Sequence, residues 1–359
     1  MFFMKKTLLT LARSCQVLNR TTSNVNVRNM TKQAIGIIGV PFEKGQRLEG
    51  VQYGPNALRQ HGLIQELKKS YCDVIDYGDI QYEAMKFEDE VKNMHYFDHV
   101  AACSREVSEK VQHVMKQGQT ALIVGGDHSV AIGSIDGHIK AKKDVSVIWV
   151  DAHADLNTAE TSPSGNVHGM PMALLCKELT EFWPDLPGMD WQWPEVSVKN
   201  MAYIGLRDID DHERLIIEKY RIAAYGMEEV QRLGVSEVIQ LALKRTDPRG
   251  KRSIHLSFDI DALDYIEAPS TGTPVRGGLL LREGIQIVEE CFRTGRLAGM
   301  DIVEFNPVLG TERDVKTTAI ACVMLCKAVT GYSRSGKVPH TPEEIPRPGT
   351  TTNQKPNEN

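Results

Sequence analysis

The chain has 359 residues, 41% of them hydrophobic, which is ample for one large core. Its net charge of −5 excludes the basic footprint of a nucleic-acid binder, and no apolar run of the roughly 18 residues a membrane span needs is present. Seven cysteines, odd in number and scattered without a C-x-x-C pair, argue against a disulfide scaffold and for a reducing compartment.

Residues 1–42 carry Lys5, Lys6, Arg13, Arg20, Arg28 and Lys32 but no acid, and are rich in Ser, Thr and Asn. That composition predicts a mitochondrial transit peptide over about 1–32. A secretory signal fits less well, because Arg13 interrupts the short apolar stretch Leu8–Ala12. Initiation at Met30 would give a cytoplasmic form. From 33 to 332, Val/Ile/Leu runs alternate with helical patterns. Strands are predicted at 34–40, 72–76, 120–125, 145–151, 201–206, 221–225, 253–260 and 297–304. Helices are predicted at 56–69, 98–116, 129–140, 211–220, 228–244, 282–295 and 311–329. Continuous apolar strands separated by helices imply one domain: a parallel, roughly eight-stranded α/β sheet with helices on both faces. Segment 180–200, with three tryptophans and three prolines, reads as an irregular connection, and 333–359, with five prolines, as a disordered tail.

Chemistry concentrates at three predicted strand ends, where open parallel sheets place their sites. Thr120–Val124 runs into Gly125-Gly126-Asp127-His128; Val145–Val150 into Asp151-Ala152-His153-Ala154-Asp155; Ser253–Phe258 into Asp259-Ile260-Asp261. If the extended geometry persists past the strand ends, residues two apart share a side. The donors His128, Asp151, His153, Asp155, Asp259 and Asp261 are four carboxylates and two imidazoles without a thiolate, a set that suits Mn²⁺ better than a closed zinc site. Six ligands exceed what one open site needs and suffice for two ions if carboxylates bridge. A lone Asp-x-Asp is usually a loop or cap; three ligand groups at three strand ends are not.

With Gly125-Gly126-Asp127-His128-Ser129, Asp151–Asn157, Ser164-Gly165-Asn166-Val167-His168-Gly169 and Ser257–Asp261, residues 34–330 resemble the arginase branch of the ureohydrolase family. The resemblance implies two Mn²⁺ per subunit, one held by His128, Asp151, Asp155 and Asp259 and the other by Asp151, His153, Asp259 and Asp261. It implies hydrolysis of L-arginine to L-ornithine and urea by a metal-bridging hydroxide that attacks the guanidinium carbon.

The same resemblance implies that Asn157 and Ser164 bind the substrate α-carboxylate, that Asp210 and Glu213 receive the α-amino group, and that Thr273 and Glu304 face the guanidinium. Taken alone, Asn157 and Ser164 are turn-capping residue types and Asp210 and Glu213 are acids suited to a helix start. His168, not a ligand in the family pattern, suits proton delivery, with Asp155 as a relay; His255 reads as a core residue. The entry loop departs from the pattern: Leu48 stands where a basic residue is expected, and Arg47 lies one place earlier. The resemblance also implies a homotrimer or homohexamer, with Arg282-Glu283 matching a pair used at the subunit contact in relatives. The rivals are an agmatinase-like ureohydrolase and a non-catalytic relative that keeps only the fold.

Overall fold

The computed structural model describes residues 33–332 and Arg334, apart from 71, 88–90 and 184–185. Segment 1–32, expected from its composition to be a transit peptide, and the proline-rich tail, save Arg334, lie outside the described residues. Eight strands form one sheet: β1 Gln33–Val40, β2 Cys72–Asp79, β3 Thr120–Gly125, β4 Val145–Val150, β5 Met201–Ile204, β6 Ala223–Tyr225, β7 Ser253–Asp259 and β8 Leu297–Val303. Their spatial order is β2-β1-β3-β8-β7-β4-β5-β6, and the pairs from β1 across to β6 run parallel. The helices are α1 Gly54–Gln60, α2 Leu63–Lys68, α3 Phe97–Lys116, α4 Ala131–Lys142, α5 Pro171–Leu175, α6 Asp211–Tyr220, α7 Met227–Leu233, α8 Val235–Thr246, α9 Leu281–Arg293 and α10 Glu312–Ala328.

Side-chain alternation divides each central strand between two helix layers. Leu122 and Val124 of β3 pack with α8, α9 and α10 in one core; Ala121 and Ile123 pack with α3 in another. Trp149 of β4 packs with α4 and α5 in a third. Both faces are therefore covered, as the near-continuous apolar runs predict. Among the described residues no helix is long and apolar enough to cross a membrane.

Two helices expected as single units are each split at a glycine. The 56–69 helix breaks at Gly62 (φ 87°) and the 228–244 helix at Gly234 (φ 79°). Both occupy left-sided backbone space that suits glycine and interrupts a right-handed helix. The short helix α5 was not foreseen, because five residues hold too few turns to show a period. In the described part of 180–200, Trp183 and Trp191 pack partly buried while Trp193 is exposed.

Strands β8 and β7 lie between β3 and β4, so the chain reverses its direction of travel across the sheet there. The carboxyl ends of these four adjacent central strands open onto one place, the topological position where parallel sheets bind ligands.

Candidate active site

All four strand ends deliver polar residues to that place. After β3 the backbone turns at Gly126 and carries Asp127 and His128; β4 leads into Asp151–Asp155, β7 into Asp259–Asp261, and β8 into Glu304. The extended geometry does not persist, contrary to the sequence expectation. Residues 151–153 bend, and Ile260–Ala262 form a 3₁₀ turn. Asp155 and Glu304 sit at φ 48° and φ 63°, left-handed conformations that cost a non-glycine residue on the order of 1–3 kcal/mol. The carboxylates converge through turns rather than through strand alternation.

Convergence is tight. His128 Nδ1 lies 3.0 Å from Asp151 Oδ2, 3.1 Å from Asp155 Oδ2 and 3.1 Å from Asp259 Oδ2. His153 Nδ1 lies 3.4 Å from Asp151 Oδ1 and 3.1 Å from Asp261 Oδ2. Asp151 thus faces both imidazoles, one oxygen to each. Two groups of donors, His128–Asp151–Asp259 and Asp151–His153–Asp261, each lie within 4.8 Å of one another. His128 Nδ1 is buried with no satisfied hydrogen bond, although three carboxylates surround it. No lysine or arginine among the described residues forms an ion pair with Asp151, Asp155, Asp259 or Asp261. Burial, together with repulsion from Asp151, pushes Asp155 up to about 6, and burial with neighbouring carboxylates raises Asp259 and Asp261. An orphaned imidazole nitrogen and mutually repelling buried acids fit two cations, and the all-N/O donor set fits Mn²⁺.

The ligand candidates are braced from behind. Trp149 donates from Nε1 to Asp151 Oδ2 at 2.9 Å, and its ring stacks on His128 with centroids 4.0 Å apart. His153 N donates to Asp151 Oδ1 (2.7 Å), and Asp261 N donates to Asp259 Oδ1 (2.8 Å). Thr273 Oγ1 donates to Asp261 Oδ2 at 3.0 Å.

Glu304 is a hub. Oε1 accepts from His128 N (2.9 Å) and from His168 Nδ1 (3.0 Å), while Oε2 accepts from Gln46 Nε2 (2.9 Å). Burial opposes its charge, but His168 and the His128 N–H hold Glu304 below the usual carboxylate range. Burial likewise opposes a charge on His168, yet Glu304 raises it to about 9. Gln46, missed in the sequence, belongs to the entry loop, which is also anchored by Gly45 N donating to Asp127 Oδ2 (2.8 Å) and His168 N donating to Gly45 O (2.9 Å). Nothing local in the sequence marks Gln46, since its partner is 258 residues away.

The remaining expected residues line the loop after β4. Asn157 Nδ2 donates to Asp210 Oδ2 (2.8 Å), and Asn157 Oδ1 accepts from Thr161 Oγ1 (2.8 Å). Glu213 has both oxygens on backbone amides, Leu156 N (2.8 Å) and Asp210 N (3.0 Å), and burial raises it to about 7. It ties α6 to the loop. Ser164 is exposed, with Oγ accepting from Asn166 N at 3.2 Å. Leu48 is exposed at the rim, and Arg47 Nη2 donates to His95 Nε2 at 2.7 Å.

Fold and site together define an α/β protein with a buried N/O donor cluster, suited to holding metal, at the carboxyl end of its parallel sheet. The arginase family model matches residues 33–331. The chain is 45% identical over 317 residues to arginase-1 of Homo sapiens, covering 88% of this chain and 98% of that one, and equally identical over the same length to arginase-1 of Sus scrofa. The crystal structure of arginase from Bacillus caldovelox superposes with a TM-score of 0.76 at 36% identity, over 84% of this chain and 99% of that one. The chain belongs to the arginase family and is an arginase-type hydrolase.

Proposed function

We propose that the protein hydrolyses L-arginine to L-ornithine and urea with two Mn²⁺ per subunit. The observation that carries this reading is the orphaned His128 Nδ1 facing Asp151, Asp155 and Asp259, beside a second donor group that shares Asp151. His128, Asp151, Asp155 and Asp259 would hold one ion, and Asp151, His153, Asp259 and Asp261 the other. When bound, such a pair supplies hydroxide from water at neutral pH and stabilises the charge that builds during attack on the guanidinium carbon.

The protein's own groups do the rest. Glu304, ionised and fixed by Gln46 and the His128 N–H, orients the guanidinium and positions His168. Its bond to His168 Nδ1 leaves Nε2 as the free nitrogen. An imidazole held protonated to about pH 9 is a general acid at neutral pH. Asp155 is placed to relay a proton toward the departing nitrogen, and His168 supplies the protons of the later steps. Thr273 fixes Asp261 and borders the guanidinium end. Asn157 and Ser164 read the α-carboxylate, and Asp210, held by Asn157, receives the α-amino group with Glu213 bracing it.

Urea release from arginine and from agmatine, which lacks the carboxylate, tests the substrate. Arginine is expected to be the better substrate by orders of magnitude; equal rates would contradict the reading, and a preference for agmatine would favour the rival ureohydrolase. Replacing Asn157 and Ser164 together by alanine should lower kcat/KM for arginine by about 10–100-fold, the loss of one or two hydrogen bonds to a charged group. Agmatine turnover should barely change; an equal loss for both substrates would mean that these residues only support the loop.

The His168–Glu304 pair also predicts a pH effect in metal-free protein. His168 is raised above its unfolded value of about 6.5, so the pair's stabilisation is fully present below that pH and is lost as pH rises through about 9. Denaturant unfolding at pH 7 and pH 10 should show a larger fall for the wild-type protein than for His168→Asn; equal falls would show that the pair is not linked to stability.

We further propose an oligomer built through the α9 start, where Arg282 is exposed, and import into mitochondria directed by residues 1–32. The acid-free composition of 1–42 supports the latter. A reporter fused to residues 1–33 should enter mitochondria; diffuse cytosolic signal would remove that address.

A further inference from the structure

A buried polar chain runs beneath the cluster, away from the substrate side. Its centre is Asp301, fully buried in β8. Asp301 pairs in register with Ser257 on β7, and Oδ2 accepts from Ser257 Oγ (2.8 Å), Ser134 Oγ (2.9 Å) and His255 Nε2 (3.0 Å). His255, expected from the sequence to be a satisfied core residue, is one of these donors. Its Nδ1 faces His138 Nδ1 of α4 at 3.0 Å, and His138 Nε2 faces Ser253 Oγ at 2.7 Å. Gly299, opposite His255 in the sheet, makes room: a Cβ there would lie 2.8 Å from His255 Nδ1 and 3.2 Å from His138 Nδ1.

Donor counting fixes the direction of every bond. A serine hydroxyl has one hydrogen, and a neutral imidazole donates from one nitrogen. An ionised Asp301 can only accept, so Ser257 spends its hydrogen there. Ser257 Oγ must then accept from His128 Nε2 at 3.0 Å, which keeps a proton on Nε2 and makes Nδ1 the nitrogen that a cation can take. Nδ1 is the atom enclosed by Asp151, Asp155 and Asp259. Without Asp301, Ser257 is free to donate to His128 Nε2, and the ring proton then goes to Nδ1, where it blocks a cation. His153 has no such support: its Nε2 lies 3.8 Å from exposed Asp208.

We propose that Asp301 is a positioning residue that, through Ser257, selects the cation-ready tautomer of His128 and so sets the affinity of the His128 position but not of the His153 position. This rests on the manganese reading given above. Partners of this kind typically change metal affinity by about 10–100-fold.

The test is manganese titration of metal-free protein, followed by calorimetry and by electron paramagnetic resonance. Wild-type protein should take up two ions that give a spin-coupled signal. Asp301→Ala, which removes the acceptor of Ser257, should weaken one ion by about 10–100-fold, leave the other unchanged, and show an isolated-ion signal at two equivalents. Should Asp301→Ala fail to fold, Ser257→Ala should reproduce the selective loss with Asp301 untouched. In a Ser257→Ala background, Asp301→Ala should have little further effect, because the two act in series. Unchanged affinities, equal weakening of both ions, or additive effects of the two substitutions would overturn the inference. Wild-type protein that does not bind two ions would instead overturn the manganese reading, and this inference with it.

Discussion

Asp259→Asn is expected to abolish urea release and to strip manganese from the protein while the fold persists. Asp259 Oδ2 lies 3.1 Å from His128 Nδ1, and Oδ1 accepts from Asp261 N at 2.8 Å, so this carboxylate stands between the two donor groups. An amide keeps the shape and the contact to Asp261 N but removes the charge that both ions would share. The loss of metal affinity should exceed the roughly 10–100-fold typical of residues that only support a ligand. The fold should survive because removing one of four mutually repelling buried acids relieves repulsion in the metal-free state. Elemental analysis checks this prediction, and full manganese occupancy in the variant would sink the shared-ligand assignment.

His168→Asn should do the opposite to the two readouts. Manganese content should stay at the wild-type level while kcat falls by about 10²–10⁴-fold, the usual contribution of a general acid–base group. The structure separates the two roles: His168 bonds Glu304 and not the four clustered aspartates. A variant that loses manganese would make His168 a ligand and would require the site to be redrawn.

The fold was largely legible because its central strands are buried on both faces. Runs such as Val145–Val150 have no polar face to confuse a period, and all eight predicted strands are present. The donors were legible because Asp151-Ala152-His153-Ala154-Asp155 and Asp259-Ile260-Asp261 concentrate ligand types within a few residues. Their supports were not. Ser257 and Asp301 meet only through the β7–β8 register, and Gln46 reaches Glu304 from the far end of the chain. Register and long-range closure are set by the assembled sheet, and a local pattern does not contain them. The same holds for the left-handed backbone at Asp155 and Glu304, residue types that the surrounding structure has to force into that region. At the rim, Arg47 holds His95 while Leu48 is exposed, so the positive charge expected one place later is turned toward segment 91–99.

The most direct test of the account is urea release from arginine as manganese is added stepwise to metal-free protein. The account predicts negligible activity without metal and a rise that saturates at two equivalents per chain. Full activity without manganese, or saturation at a single equivalent, would contradict it.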